Sequence, residues 1–479
     1  MMNYDIHIEN LGAIEKADIT ITPLTILAGE NGTGKSFVTK FLYSILNVTI
    51  LDVFSNELNI LLLDIQNNIP TIISSFGAAF PNSNSLEVLI NLKKELDSFF
   101  SEIKDDLQQS IFFLDSDKLK RLKSSIEAYN EIILPIFNDE KENKQETIKT
   151  KVSDHGFNNL ILKYTIILLS KDLEMLSIVI NSPRDFFVDA LKNNINNELK
   201  NNFQVSQISY LIQQGKDKAI FDIKDTIKVE ILEDSSLEVF FDEEKLFNYG
   251  AINRILFFES PVYWKMLSMI DNKKENTQKY LSTSIKDERL TGVPKHFIDL
   301  KELLFANFKD GERPDFIIKC ADELESKLQG KFKAANSDLT FENSKGQSIS
   351  KSLVSFGMTN LGIFQAVLSK NIINKGSFVF IDEPESNLHP EWQAILANVL
   401  VELAKNGVYV IVTTHSSDML KAFEISTQEQ KVSDELSTYY FQTDGTLLAM
   451  DDEDLSPIEQ ARKKLLETYE NLMIRGYLL

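Results

Sequence analysis

The hydrophobic pattern changes its period along the chain. Residues 4–28 read as three short strands, Tyr4–Glu9, Ala17–Ile21 and Leu24–Ala28, with Asn10-Leu11-Gly12 and Thr22-Pro23 as the turns between them. After a polar loop, Ser36–Tyr43 can open a helix. From about 48 to 200 the period is helical. Leu89, Leu92, Leu96, Phe99, Ile103, Leu107, Ile111 and Leu114 are spaced by three and four, which predicts one long amphipathic helix. Residues 138–151 carry almost no apolar side chain and read as an exposed loop. Helical signal resumes from Phe157 to Phe203. Strand patterns follow at Ala219–Ile223, Ile227–Ile231, Leu237–Phe241 and Ile255–Phe258, the last ending at Glu259-Ser260-Pro261. Residues 262–330 are mixed and mostly helical, Leu339–Glu342 is a strand, and Gly346 marks a turn. Phe378–Ile381 and Val408–Val412 are apolar strands separated by a helix that ends near Asn406-Gly407. A hairpin over Thr438–Met450, turning at Asp444-Gly445, an acidic patch at Asp451–Asp454 and a final helix close the chain. There is no internal repeat and no low-complexity tract.

Three of the apolar strands end in polar motifs. Leu24–Ala28 runs into Gly29-Glu30-Asn31-Gly32-Thr33-Gly34-Lys35-Ser36, a full match to the phosphate loop G-x-x-x-x-G-K-[ST], with Phe37 next in line. The glycines let backbone N–H groups approach phosphate oxygens, and the helix start adds its own N–H groups and dipole. Lys35 is placed to reach the β- and γ-phosphates of ATP, and the Ser36 hydroxyl to bind Mg²⁺. Phe378–Ile381 runs into Asp382-Glu383, where Asp382 helps hold Mg²⁺ and Glu383 orients or deprotonates the attacking water. Val408–Val412 runs into Thr413-Thr414-His415, and the imidazole of His415 suits a sensor of the terminal phosphate. Ser355-Phe356-Gly357, just before a helix, is a weaker fourth signal. Motifs at the carboxyl ends of apolar strands are how a parallel α/β sheet builds its site.

Composition narrows the classes. The chain has 479 residues, 43% hydrophobic and 25% charged, which suits a globular protein of several domain-sized pieces. Its formal charge of −21 disfavours a protein that coats DNA, because phosphate contacts need Lys and Arg. Lys118, Lys120, Arg121 and Lys123 form the densest basic group and read as a solvated helix face. Cys320 is the single cysteine, which excludes an intrachain disulfide and a cysteine zinc site and suits a reducing cytoplasm. The N-terminus lacks a secretory pattern, and the apolar stretch from Leu160 to Ile180 is broken by Lys163, Lys171, Asp172 and Glu174, so it reads as a buried helix.

Together these motifs resemble the ABC-type ATPase superfamily, in its RecF/SMC/OLD-like branch. Gly29–Ser36 resembles Walker A, Phe378–Glu383 Walker B, Pro384–Pro390 the D-loop run of OLD-like ATPases, and Thr413–Ser416 the switch-histidine loop. Ser355–Asn360 resembles the signature motif but departs from it at Phe356 and Met358. Gln204 and Gln207 are weak candidates for the Q-loop glutamine. The resemblance implies a P-loop α/β head made of residues 1–50 and 205–450, a helical insertion over 51–204 serving as a lid or dimerisation arm, and a C-terminal piece over 451–479. It implies a homo-oligomer in which two heads sandwich ATP, each supplying Ser355 and Gly357 to the other's site. Only about 60 residues follow His415, without a second sheet or a new acidic-strand motif for a fused nuclease. The chain therefore resembles stand-alone OLD-like ATPases of bacterial anti-phage systems. These are encoded beside a separate effector: a Toprim-type nuclease in PARIS systems, the first candidate, or an HNH-type nuclease in Septu systems, the second. A phage protein would be the trigger. A RecF-like, DNA-binding repair ATPase is the alternative, and DNA contact stays open between the two.

Overall fold

The structure is a computed structural model and describes residues 3–50, 53–79, 84–103, 116–133, 159–242, 252–259, 261–267, 292–306, 313–335, 338–432 and 435–477. The chain forms two compact units, Met1–Ile50 with Ile195–Leu479, and Leu51–Asn194.

In the larger unit, β1 (Tyr4–Leu11) and β2 (Ile14–Ile21) pair antiparallel. Their apolar residues alternate, as expected of strands buried on one face. β3 (Leu24–Gly29) is buried at every position and leads through the phosphate loop into α1 (Lys35–Ile50). The smaller unit holds α2 (Val53–Ala79), α3 (Asn84–Ile103), α4 (Ser116–Ile132) and α5 (Asn159–Asn181). They close on a core that includes Ile65, Leu92, Tyr129 and Leu173, and the Tyr129 hydroxyl is satisfied by the Ile166 carbonyl. α6 (Pro183–Phe203) follows and crosses the boundary between the units.

The larger unit then resumes with β4 (Lys218–Ile223), β5 (Ile227–Leu232) and β6 (Leu237–Phe241). They extend the first hairpin into an antiparallel sheet of order β2-β1-β4-β5-β6. β7 (Ile255–Phe258), α7 (Lys295–Phe305) and α8 (Asp315–Leu328) precede a small antiparallel sheet of β8 (Gly330–Ala335), β9 (Asp338–Asn343) and β10 (Ser348–Ser350). The last part alternates helix and strand: α9 (Phe356–Ser369), β11 (Phe378–Asp382), α10 (Pro390–Lys405), β12 (Tyr409–Thr414), α11 (Ser417–Gln430), β13 (Leu436–Phe441) and α12 (Pro457–Tyr477).

The central sheet has the order β13-β3-β12-β11-β7, and every neighbouring pair is parallel. Its strands are continuous apolar runs because helices cover both faces. All of them therefore end at one edge, which gathers Gly29, Asp382, Thr414 and Phe258.

Several expectations need correction. The first hairpin is longer than Tyr4–Glu9 and Ala17–Ile21, because Gly12 at φ 58° makes the turn tighter. Of the Leu89–Leu114 stripe, Leu89–Ile103 lies in the helix Asn84–Ile103, while Leu107, Ile111 and Leu114 lie outside the described residues, as does the 138–151 loop. The helical signal over Phe157–Phe203 is borne out from Asn159 on, as two helices, Pro183 beginning the second after Ser182. Of the hairpin over Thr438–Met450, the first arm is also a parallel edge strand beside β3, and the return arm is short: the Leu447–Phe441 bridge with the Leu448 N–H donating to the Tyr440 carbonyl at 2.8 Å. β8 and β10 lack a clear alternating pattern and were not expected. No described helix is long and apolar enough to cross a membrane.

Candidate active site

The loop from β3 to α1 turns at glycines with positive φ: Gly29 at 148°, Gly32 at 81° and Gly34 at 96°. At Gly34 a Cβ would stand 2.6 Å from Ile14 Cγ1, so a glycine is required there for space as well as conformation. Thr33 Oγ1 donates to the Glu30 carbonyl at 2.9 Å and closes the loop on itself. Glu30 and Asn31 are exposed at its tip. The Phe37 N–H is spent on the Gly34 carbonyl at 3.0 Å, and its ring packs on Phe203 with centroids 5.0 Å apart.

Lys35 is 4% exposed. Its ammonium donates to the Gly29 carbonyl at 2.9 Å and the Glu30 carbonyl at 2.6 Å. Burial pulls its pKa below the ordinary value, against the pull of the Glu383 and Asp382 carboxylates. An ammonium has three donors. This one uses two on carbonyls and makes no ion pair among the described residues, so a buried positive charge remains for an anion.

The register of the sheet sets Asp382 on β11 opposite Thr413 on β12, and Thr414 opposite Ala28 on β3. Asp382 Oδ1 accepts from Ser36 Oγ at 2.8 Å and from the Thr413 hydroxyl. Burial raises the Asp382 carboxyl, and these two donors partly offset the shift. A hydroxyl and a half-buried carboxylate side by side are hard oxygen donors of the kind a divalent cation such as Mg²⁺ takes.

Glu383 sits at φ 49°, a left-handed conformation uncommon for a residue with a side chain. It is held there by its N–H, which donates to the Thr413 carbonyl and the Thr413 hydroxyl, both at 3.2 Å. Such strain persists only where the surroundings enforce it, and it concentrates at functional sites. The turn aims the half-exposed Glu383 carboxylate at His415, whose Nδ1 lies 3.3 Å from Glu383 Oε1. His415 follows β12 and is itself half-exposed. One edge thus gathers Lys35, Ser36, Asp382, Glu383 and His415.

Ser355 and Gly357 stand at the start of α9. Ser355 caps α9, its Oγ accepting the Met358 N–H at 3.2 Å. Gly357 lies against the Asn387 carbonyl, where a Cβ would stand 2.4 Å from the oxygen. No hydrogen bond joins either residue to the phosphate loop among the described residues. Gln204 is engaged elsewhere, accepting the Gly292 N–H at 2.8 Å.

Three participants escaped the sequence reading. Thr413 bonds both Asp382 and Glu383. Glu385 reaches the His415 loop, accepting from the Thr414 hydroxyl at 2.7 Å and the His415 N–H at 3.0 Å. Glu259, just after β7, pairs with Lys40 at 2.7 Å and accepts from His296 Nε2 at 2.8 Å. Burial alone would raise Glu259, but His296 and Lys40 hold it down at about 2. The usable signal for Glu259 was its place after an apolar strand, the same position Asp382 occupies.

A phosphate loop at the carboxyl edge of a parallel sheet, with an acid pair on the second strand over, defines a P-loop ATPase. The AAA ATPase domain family matches residues 2–420, so the chain belongs to that family and is an ATPase. A search of curated proteins found no match. Among solved structures, an Smc head bound to the C-terminal winged-helix domain of ScpA is similar at 9% identity. It covers 95% of this chain and 99% of that one, with a TM-score of 0.39. An Smc head with an extended coiled coil, bound to the C-terminal domain of ScpA and derived from Pyrococcus furiosus, is 11% identical. It covers 98% of this chain and 100% of that one, with a TM-score of 0.38. The ADP conformation of an ATP-binding cassette of an ABC transporter is also 11% identical, covering 98% and 99%, with a TM-score of 0.31. At these identities and TM-scores the family assignment rests on the domain match alone.

Proposed function

We propose that this ATPase is an ABC-type head of the RecF/SMC/OLD-like branch that serves as the nucleotide-driven subunit of a bacterial anti-phage system. In this reading it assembles through its heads and holds or releases a separately encoded nuclease, of Toprim or HNH type, when a phage protein appears. The gathering of Lys35, Ser36, Asp382, Glu383 and His415 at one sheet edge is the observation that carries the reading. Lys35 neutralises the β- and γ-phosphates, Ser36 and Asp382 hold Mg²⁺, Glu383 takes a proton from the attacking water, and His415 donates to the terminal phosphate. Mg²⁺, when bound, offsets charge on the phosphates. Ser355 and Gly357, which make no hydrogen bond to the chain's own phosphate loop among the described residues, serve the loop of a second copy in this reading. Phe356 is 41% exposed beside them, which suits a surface covered on assembly. The net charge of −21 fits a protein partner better than a nucleic-acid one.

The test is co-purification of the neighbouring gene's product with this chain, with and without Mg-ATP. Recovery should change with nucleotide for the wild type and stay fixed for Lys35→Met. Equal recovery in every nucleotide state would overturn the switch.

A further inference from the structure

Glu385 is 8% exposed, yet it belongs to the turn after β11 rather than to the core. Its Oε1 does three things at once. It accepts from Thr414 Oγ1 at 2.7 Å, accepts from the His415 N–H at 3.0 Å, and lies 3.5 Å from His415 Nδ1. Its Oε2 is buried without a partner. A carboxylate left half-satisfied in the interior is costly and needs a reason. The Thr414 hydroxyl accepts the Ser416 N–H at 3.0 Å, and Ser416 Oγ accepts the Met419 N–H at 3.2 Å, capping α11. Glu385 therefore bolts the turn after β11 to the loop that carries His415 and to the start of the next helix.

His415 Nδ1 faces two carboxylates, Glu383 at 3.3 Å and Glu385 at 3.5 Å. An imidazole with Nδ1 directed at carboxylates has Nε2 left for another partner. We infer that Glu385 is a positioning residue for ATP hydrolysis: by accepting from the Thr414 hydroxyl and the His415 N–H it clamps the loop that carries His415, so that Nε2 faces the terminal phosphate. This rests on the reading of His415 as the phosphate sensor given above. Glu385 touches neither ATP nor water in this role and acts through His415.

A double-mutant cycle in the full chain tests it, with steady-state kcat and KM for Mg-ATP measured for Glu385→Ala, His415→Ala and the double variant. Glu385→Ala should lower kcat about 10- to 100-fold, the range typical of misplaced catalytic groups. Its KM should stay within about threefold, because the phosphate loop is untouched. In the His415→Ala background the same change should cost no more than about twofold. Glu385→Gln keeps a carbonyl oxygen for the Thr414 hydroxyl and the His415 N–H and should recover most of the activity. Full, independent losses from the two substitutions would overturn the clamp while leaving the sensor reading intact. Wild-type turnover in His415→Ala would instead overturn the sensor reading on which the clamp depends. Should Glu385→Ala fail to fold, Thr414→Val removes one of the two clamped donors. It is expected to show the same kcat loss and the same silence in His415→Ala, and additivity there refutes the inference.

Discussion

Replacing Lys35 by Met removes the charge and keeps the length of the side chain. Two effects of opposite sign act on the free protein. The buried Gly29 carbonyl loses its partner at about 1–3 kcal/mol, and the Glu30 carbonyl, at the exposed tip, can turn to water at less cost. A desolvated ammonium disappears from a position 4% exposed, which relieves a penalty of similar order. The melting temperature should therefore move by only a few degrees. Binding is different, because the cost of burying the charge is met in folding and its attraction is realised only with the nucleotide. One remaining N–H to a phosphate oxygen is worth about 1.5–3 kcal/mol. Two unit charges 4 Å apart attract by about 4 kcal/mol at an effective dielectric of 20. These overlap, so a net loss of at least about 3 kcal/mol follows, more than 100-fold in Kd. Calorimetric titration with Mg-ATP reads the affinity. Thermal melts give an independent check, since ligand at 100 times the wild-type Kd stabilises the wild type by about 2.7 kcal/mol and the variant by no more than about 0.4 kcal/mol. A folded Lys35→Met protein that binds ATP within threefold of the wild type would refute the assignment.

Two further expectations follow. Gly357→Ala drives a Cβ to 2.4 Å from the Asn387 carbonyl and 3.1 Å from Leu388 Cδ2, so the start of α9 or the Asn387 turn must shift. The expected cost is about 1–3 kcal/mol, seen as a lower urea midpoint, and an unchanged midpoint would contradict this packing. In the smaller unit, burial and the nearby Asp64 raise Asp172 to about 6, while Asn68 opposes the shift. The folded value lies above the ordinary 3.8. The stability it confers is thus full below about pH 4 and is lost as pH rises through about 6. Asp172→Asn should stabilise the protein by about 1 kcal/mol at pH 7, after discounting for partial exposure, and by nothing at pH 4. Equal effects at both pH values would refute the titration.

The site was more legible than the frame around it. Gly29–Ser36 and Asp382-Glu383 announce themselves because phosphate and metal chemistry restrict residue type at fixed spacing, and those constraints are local. The continuous apolar runs of β3, β11 and β12 likewise marked a covered parallel sheet. Thr413 and Glu385 were hidden because their importance comes from strand register and a turn crossing between strands, neither of which leaves a spacing in the sequence. β13 was read only in part, because Asp444-Gly445 does make a turn, with the Gln442 N–H donating to the Thr446 carbonyl at 2.9 Å, while the strand also pairs with β3 some 400 residues away. A local signal cannot report such a partner. Phe157–Phe203 shows the limit of periodicity alone: it finds a helical face, and Pro183 decides where one helix gives way to the next.

In the mechanism proposed for this ATPase, Glu383 serves the attacking water at a site held by Lys35, Ser36 and Asp382. Steady-state phosphate release and equilibrium ATP binding, measured side by side on Glu383→Gln, test it most directly. Gln keeps the size and the strained backbone but accepts no proton. Turnover should fall to background while the Kd for ATP stays within a few-fold of the wild type. Turnover in Glu383→Gln equal to that of the wild type would contradict the account.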